Sequence, residues 1–134
     1  MSRPETERAL ILFAWDGLGL ALPAERVLEM RQPRPEDAAS VGDLLELAPA
    51  PSARGACRCL CIAGPAGALA LRVQEPVRHC RLPAAALHPL PIALAKRLRF
   101  ACLYAIARLD DPQGGLVLVL DADRLIARAD VPDR

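Results

Sequence analysis

The sequence predicts a mainly β protein: short strands joined as hairpins, with brief helices at the joints. Three observations carry this. Apolar runs flank turn signals three times over, around Asp16-Gly17, around "GPAG" (residues 64–67) and around "DDPQGG" (residues 110–115). Helix signals occur only as short pieces between those hairpins. The 134 residues are 53% apolar, enough for one globular domain, residues 1–134, with a real core.

The elements follow in order. "ALILFAW" (residues 9–15) and "LGLAL" (residues 18–22) form the first hairpin, because Gly17 tolerates the positive φ of a tight turn. "LPAERVLEM" comes next. Pro23 suits a first helical turn, Glu25 suits the positive end of its dipole, and Leu22, Val27 and Met30 can share one face. That piece is one or two helical turns, unwinding into a strand near residues 28–31. "RQPRPEDAAS" (residues 31–40) interrupts the apolar pattern with two prolines and clustered charges. "VGDLLEL" (residues 41–47) follows, and then "APAPSARGA" as a second connection.

"CRCLCIA" (residues 57–63) and "ALALRVQ" (residues 68–74) form the second hairpin, and "VRHCRLP" (residues 77–83) is a weak strand of its own. "AAALHPLPIALAKRL" is a crossing segment with a helical turn. "RFACLYAIARL" (residues 99–109) and "LVLVLD" (residues 116–121) form the third hairpin. "DADRLIARA" closes the chain as a short helix that Asp121 or Asp123 can cap. The total is about seven to nine short strands, the pattern of a small barrel or a pair of barrels.

Composition removes several function classes. The 17 basic and 16 acidic residues leave a net charge of +1, which gives no long-range field for a phosphate backbone. Aromatics are only 3%, too few for a base-stacking platform, so no nucleic-acid partner is expected. No apolar run approaches the length of a membrane span, so no direct membrane insertion is expected. The N-terminal apolar run ends at Asp16 without a cleavage site, which predicts a cytoplasmic protein.

Candidate chemistry is sparse. The thiols Cys57, Cys59 and Cys61 alternate, so on a strand they share a face. One intervening residue is too few for the usual zinc spacing, and lining a core is the expectation. A small cytosolic thiol-redox or metal-binding protein built on this cluster is the alternative reading. His79 and Cys80 are neighbours, so on a strand they face opposite ways and make no nucleophile–base pair. His79 and His88 carry no catalytic signature, and Asp121 and Asp123 read as caps before they read as cation ligands. Neither a catalytic residue, a metal site nor a cofactor is expected, and the protein reads as no enzyme. Domains of this kind work by presenting edges and grooves to other proteins.

The order of the pieces resembles the CheW-like family, the coupling module of bacterial chemosensory systems. Four stretches carry the likeness: "LALPAERVLEM", then "VGDLL" with Asp43 and Leu44, where the family has a strand end, then "LRVQ", then "LVLDADRLI". Gln74 stands where the family prefers Asp. The likeness spans nearly the whole chain, and it rests on order and spacing more than on any one motif. It implies two small intertwined, SH3-like five-stranded β-barrels. It implies an adaptor of a chemosensory array that binds chemoreceptors and modulates their coupling to a CheA-type histidine kinase. Val27, Glu29 and Met30 then sit where the receptor's cytoplasmic tip docks.

Between the stretches matched by "LALPAERVLEM" and "VGDLL" the family carries a proline loop, a strand and an Arg-Gly turn. This chain has only "RQPRPEDAAS" there, so the first barrel is expected to lack about one β-hairpin. The shortening is similar to that of the second coupling protein of Frz-type systems. Pro33, Pro35, Glu36 and Asp37 are residues that blunt an unpaired edge. In the family the removed hairpin belongs to the barrel that meets the kinase, so weak or absent kinase binding is expected. Another CheW-like protein is a further implied partner.

Overall fold

The computed structural model describes residues 7–15, 18–37, 39–45, 57–65, 67–89, 102–109 and 115–130. Eight strands lie in these residues: β1 (Glu7–Trp15), β2 (Leu18–Pro23), β3 (Val27–Arg31), β4 (Cys57–Gly64), β5 (Gly67–Pro83), β6 (Leu87–Pro89), β7 (Leu103–Arg108) and β8 (Leu116–Leu120). They form one sheet in the order β3-β4-β5-β1-β2-β8-β7-β6. Two helices join it, α1 (Val41–Leu44) and α2 (Ala122–Asp130), with 3-10 turns at Ala24–Arg26 and Ala84–Ala86.

The three hairpins form as expected. β1 pairs β2 with Trp15 opposite Leu18, β4 pairs β5 with Gly64 opposite Gly67, and β7 pairs β8 with Arg108 opposite Leu116. The central turn needs Gly67, whose φ of 144° suits a residue without Cβ. The turn residues Asp16, Gly17 and 110–114, the connection 48–56 and the crossing segment 90–101 lie outside the described residues.

The sheet encloses two apolar cores and shares its central strands between them. On β1, Phe13 and Trp15 enter the first core, with Ile11 packed against it, while Leu10 and Leu12 enter the second. β2 splits the same way, Leu20 and Leu22 against Ala21, and β8 sends Leu120 one way and Val117 and Val119 the other. β5 divides by length: Leu71 and Val73 belong to the first core, Leu82 to the second. A strand covered on both faces needs a continuous apolar run, which is what "ALILFAW" and "LVLVL" supply. This is the intertwined two-core arrangement of an all-β fold.

Several local expectations are corrected. Residues 77–83 are no separate strand, because β5 runs unbroken from Gly67 to Pro83. "LPAERVLEM" is as expected, a single helical turn at Ala24–Arg26 that gives way to β3 at Val27, where backbone pairing to β4 takes over. "VGDL" is helix α1, not a strand end. Ser40 Oγ accepts the Asp43 N–H at 3.1 Å and caps it. Gly42 is required there, since a Cβ at that position would run into the indole of Trp15. α1 therefore plugs the first core with Val41 and Leu45.

The interrupted stretch, described at residues 31–37 and 39–40, is a strap across one end of the first core. Arg31 stands opposite Cys59, Cys59 opposite Arg72, and Arg72 is bridged in turn by Ser40. The Arg72 N–H donates to the Ala39 carbonyl at 2.9 Å. The chain thus leaves β3, passes the ends of β4 and β5, and attaches to the far side of β5. Residues 32–37 and 39–40 hold no strand beyond that bridge. Asp37 does not point outward to blunt an edge. It is 5% exposed and turns inward, taking both guanidinium nitrogens of Arg31 at 2.8 and 2.9 Å.

The thiols also differ from expectation. They share a face of β4, but the first core is built from Leu60 and Ile62, whereas only Cys59 of the three thiols is fully buried. Cys57 and Cys61 are half-buried. β4 is covered twice at its centre, by the core on one face and by the Arg31–Asp37 pair on the other.

Candidate docking edge

Val27, Glu29 and Met30 all lie on β3, which with β6 forms the edges of the sheet among the described residues. Val27 stands opposite Ile62 and Met30 opposite Leu60, both core residues of β4. The register shifts between Val27 and Glu29, so Leu28 is the extra residue of a β-bulge. Leu28 is 61% exposed and Met30 48%, while Val27 is half-buried and packs against the first core. Glu29 is exposed between them. Sequence reasoning missed Leu28, because a bulge leaves no mark in the apolar pattern.

The strand is held at both ends. Before it, Arg26 donates to the Ala63 carbonyl from Nε at 3.2 Å and from Nη2 at 2.8 Å, and Nη2 also reaches Asp123 Oδ1 at 2.5 Å. After it, Arg31 grips Asp37, which also accepts the Arg34 N–H at 2.7 Å. The Arg31 side chain, and then the Arg34 N–H, hold the Asp37 carboxyl well below the usual carboxylate range. The Cys59 thiol beneath is pushed up to about 11, first by burial and then by the Asp37 charge. It is therefore a protonated thiol at neutral pH, a poor nucleophile and a poor metal ligand.

A groove of about 340 Å³ opens beside this edge. Glu25 and Arg26 stand on one side, Glu7 and Tyr104 elsewhere on its wall, and Asp121 and Asp123 at the start of α2. Its floor takes Leu10 and Val119 from the second core and Leu120 from the first, so it lies where the two cores meet. Val27, Glu29 and Met30 are not among its lining residues. Asp121 Oδ1 accepts the Arg124 N–H at 3.2 Å, the capping role read from the sequence, whereas Asp123 pairs with Arg26. His79 and His88 are exposed.

No family profile matches the chain, and no curated protein does. A solved structure does: the scaffolding protein TtCheW from Thermoanaerobacter tengcongensis, with TM-score 0.70 at 13% identity, covering 95% of this chain and 95% of that one. The fold is CheW-like. An end-to-end match at so low an identity means that the CheW-like backbone is kept here by a different set of side chains. The two cores share β1, β2, β5 and β8, and the strands form one sheet with β3 and β6 as its edges among the described residues, not the two five-stranded barrels expected. Among the described residues no helix is long and apolar enough to cross a membrane.

Proposed function

We propose that this protein is a non-enzymatic adaptor of a bacterial chemosensory array. It docks on the cytoplasmic tip of a chemoreceptor through the β3 edge, with Met30 and Val27 as apolar anchors, Glu29 as a polar contact and Leu28 beside them. Its place is in the cytoplasm at the array, and its direct contact with a CheA-type kinase is weak or absent. The observation that carries the reading is the exposure of both Leu28 and Met30 on one short edge strand of a CheW-like fold. Large apolar side chains left exposed together mark an interaction surface more often than a chance one. An amphipathic helix is the partner that such a row of anchors fits.

The thiol reading has no comparable support: Cys59 is buried, and among the described residues no three His, Cys, Asp or Glu side chains come together as metal ligands.

The test is co-sedimentation of the protein with receptor cytoplasmic fragments. Val27→Arg and Met30→Glu are each expected to weaken binding about thirtyfold, the loss of one central anchor worth about 2 kcal/mol. Circular dichroism establishes that each variant is folded. Unchanged binding by folded Met30→Glu, whose side chain is half exposed, would place the receptor surface elsewhere.

A further inference from the structure

β3 is a five-residue edge strand with one neighbour and a bulge in its middle. Such a strand is the part of a sheet that opens most readily. Yet each end is tied by an arginine to an acid that lies outside the strand, Arg26 to Asp123 on α2 and Arg31 to Asp37 in the strap. The two ties share a frame. The strap runs through Ser40 into α1, and the last carbonyl of α1, Leu44, accepts Arg128 Nε at 2.6 Å. Arg128 belongs to α2, which also carries Asp123. The links form a closed circuit: β3, strap, α1, α2 and back to β3.

We propose that Arg26 and Arg31, with Asp123 and Asp37, are positioning residues that clamp β3 in one geometry for docking. The proposal rests on the docking reading above and adds how the edge is made ready. Without the clamp, β3 detaches at its ends and only a fraction of molecules presents Leu28 and Met30 correctly. The apparent dissociation constant then rises by the inverse of that fraction, although no contacting group has been removed. The signature is kinetic. Association slows, because fewer molecules are competent, while dissociation is unchanged, because the complex holds the same contacts. Loss of an anchor does the opposite and speeds dissociation.

The two clamps differ in strength. Asp37 is buried and takes a two-pronged grip, whereas Asp123 is 63% exposed on its side chain, and exposed pairs contribute little. Asp37→Asn is therefore expected to slow association with an immobilised receptor cytoplasmic fragment about tenfold, and Asp123→Asn about twofold to threefold, with Asp123→Glu restoring it. Amide exchange at residues 28–31 should quicken in the same order in the free protein. Met30→Ala should raise the dissociation rate instead.

Asp123→Asn keeps the test open if Asp37→Asn fails to fold. Unchanged β3 exchange in the folded variants overturns the clamp, and so does a loss of affinity that lies wholly in the dissociation rate. Failure of the unaltered protein to bind the receptor fragment overturns the docking reading, and the exchange measurement still decides the clamp.

Discussion

At Cys59 the thiol is fully buried beneath the Arg31–Asp37 pair, and burial and a neighbouring carboxylate both act to keep it protonated. Its folded value of about 11 lies above the ordinary 9.0, so the unfolded chain loses the proton first. Stability from this residue is complete below about pH 9 and is lost as pH rises toward 11. Cys102, buried in the first core, is shifted in the same direction by burial. Urea midpoints measured between pH 7 and pH 11 should therefore fall above pH 9, and the fall should be shallower in Cys59→Ala. A parallel fall in that variant would mean the strap does not hold the thiol as described. In the native state Cys59 should alkylate more slowly than Cys57 and Cys61, which are only half-buried. Equal rates for all three would contradict the closed strap.

β1 carries apolar residues on both faces, and adjacent positions enter different cores. Leu12 belongs to the second core and Phe13 to the first. Leu12→Ala should cost about 2–5 kcal/mol by emptying its site, and Phe13→Leu less. The two losses should couple only weakly, because the side chains belong to different cores. Phe13→Leu and Leu20→Ala, both in the first core, should couple instead. A double-mutant cycle by urea denaturation measures both, and strong coupling of Leu12 with Phe13 would mean a single core. How far elements can be read from sequence follows from the same chemistry. The three hairpins are legible because a turn signal lies between two apolar runs, and local sequence fixes both. Which face of β1 meets which core is not legible, since "ALILFAW" is apolar throughout. α1 is too short for a helical period to show, although Ser40 three residues before Asp43 is a capping signal that could have marked it. The candidate docking edge was legible in part as a place in the fold. Val27, Glu29 and Met30 do lie together, but on a bulged strand made by pairing with β4, a contact about thirty residues away in the chain that no local pattern encodes.

At the scale of the whole molecule, the strap decides how much surface the first core offers to a partner. Its described residues, 31–37 and 39–40, are fastened by Asp37 to Arg31 of β3 and by Ser40 to the far side of β5. By the family resemblance a strand and an Arg-Gly turn stand there, on the barrel that meets the kinase. An interface draws most of its energy from a few central residues, so replacing a hairpin by a strap should remove more than one of them. A loss of about 3–4 kcal/mol, the order expected for one or two anchors, takes a micromolar contact into the millimolar range. Receptor docking should persist, because β3 is clamped independently of any hairpin. Such a protein would occupy receptor sites without recruiting kinase, and so dilute the coupling achieved by a full-length CheW-like protein in the same cell. Titration calorimetry against the kinase's regulatory domain should therefore detect no binding at micromolar concentration. Replacing residues between Met30 and Val41 by a full family hairpin should bring kinase affinity toward the micromolar range. The receptor affinity of the graft reports whether β3 survived the exchange. Micromolar kinase affinity in the unaltered protein would show that the strap itself, or the β3 edge beside it, is a sufficient kinase surface.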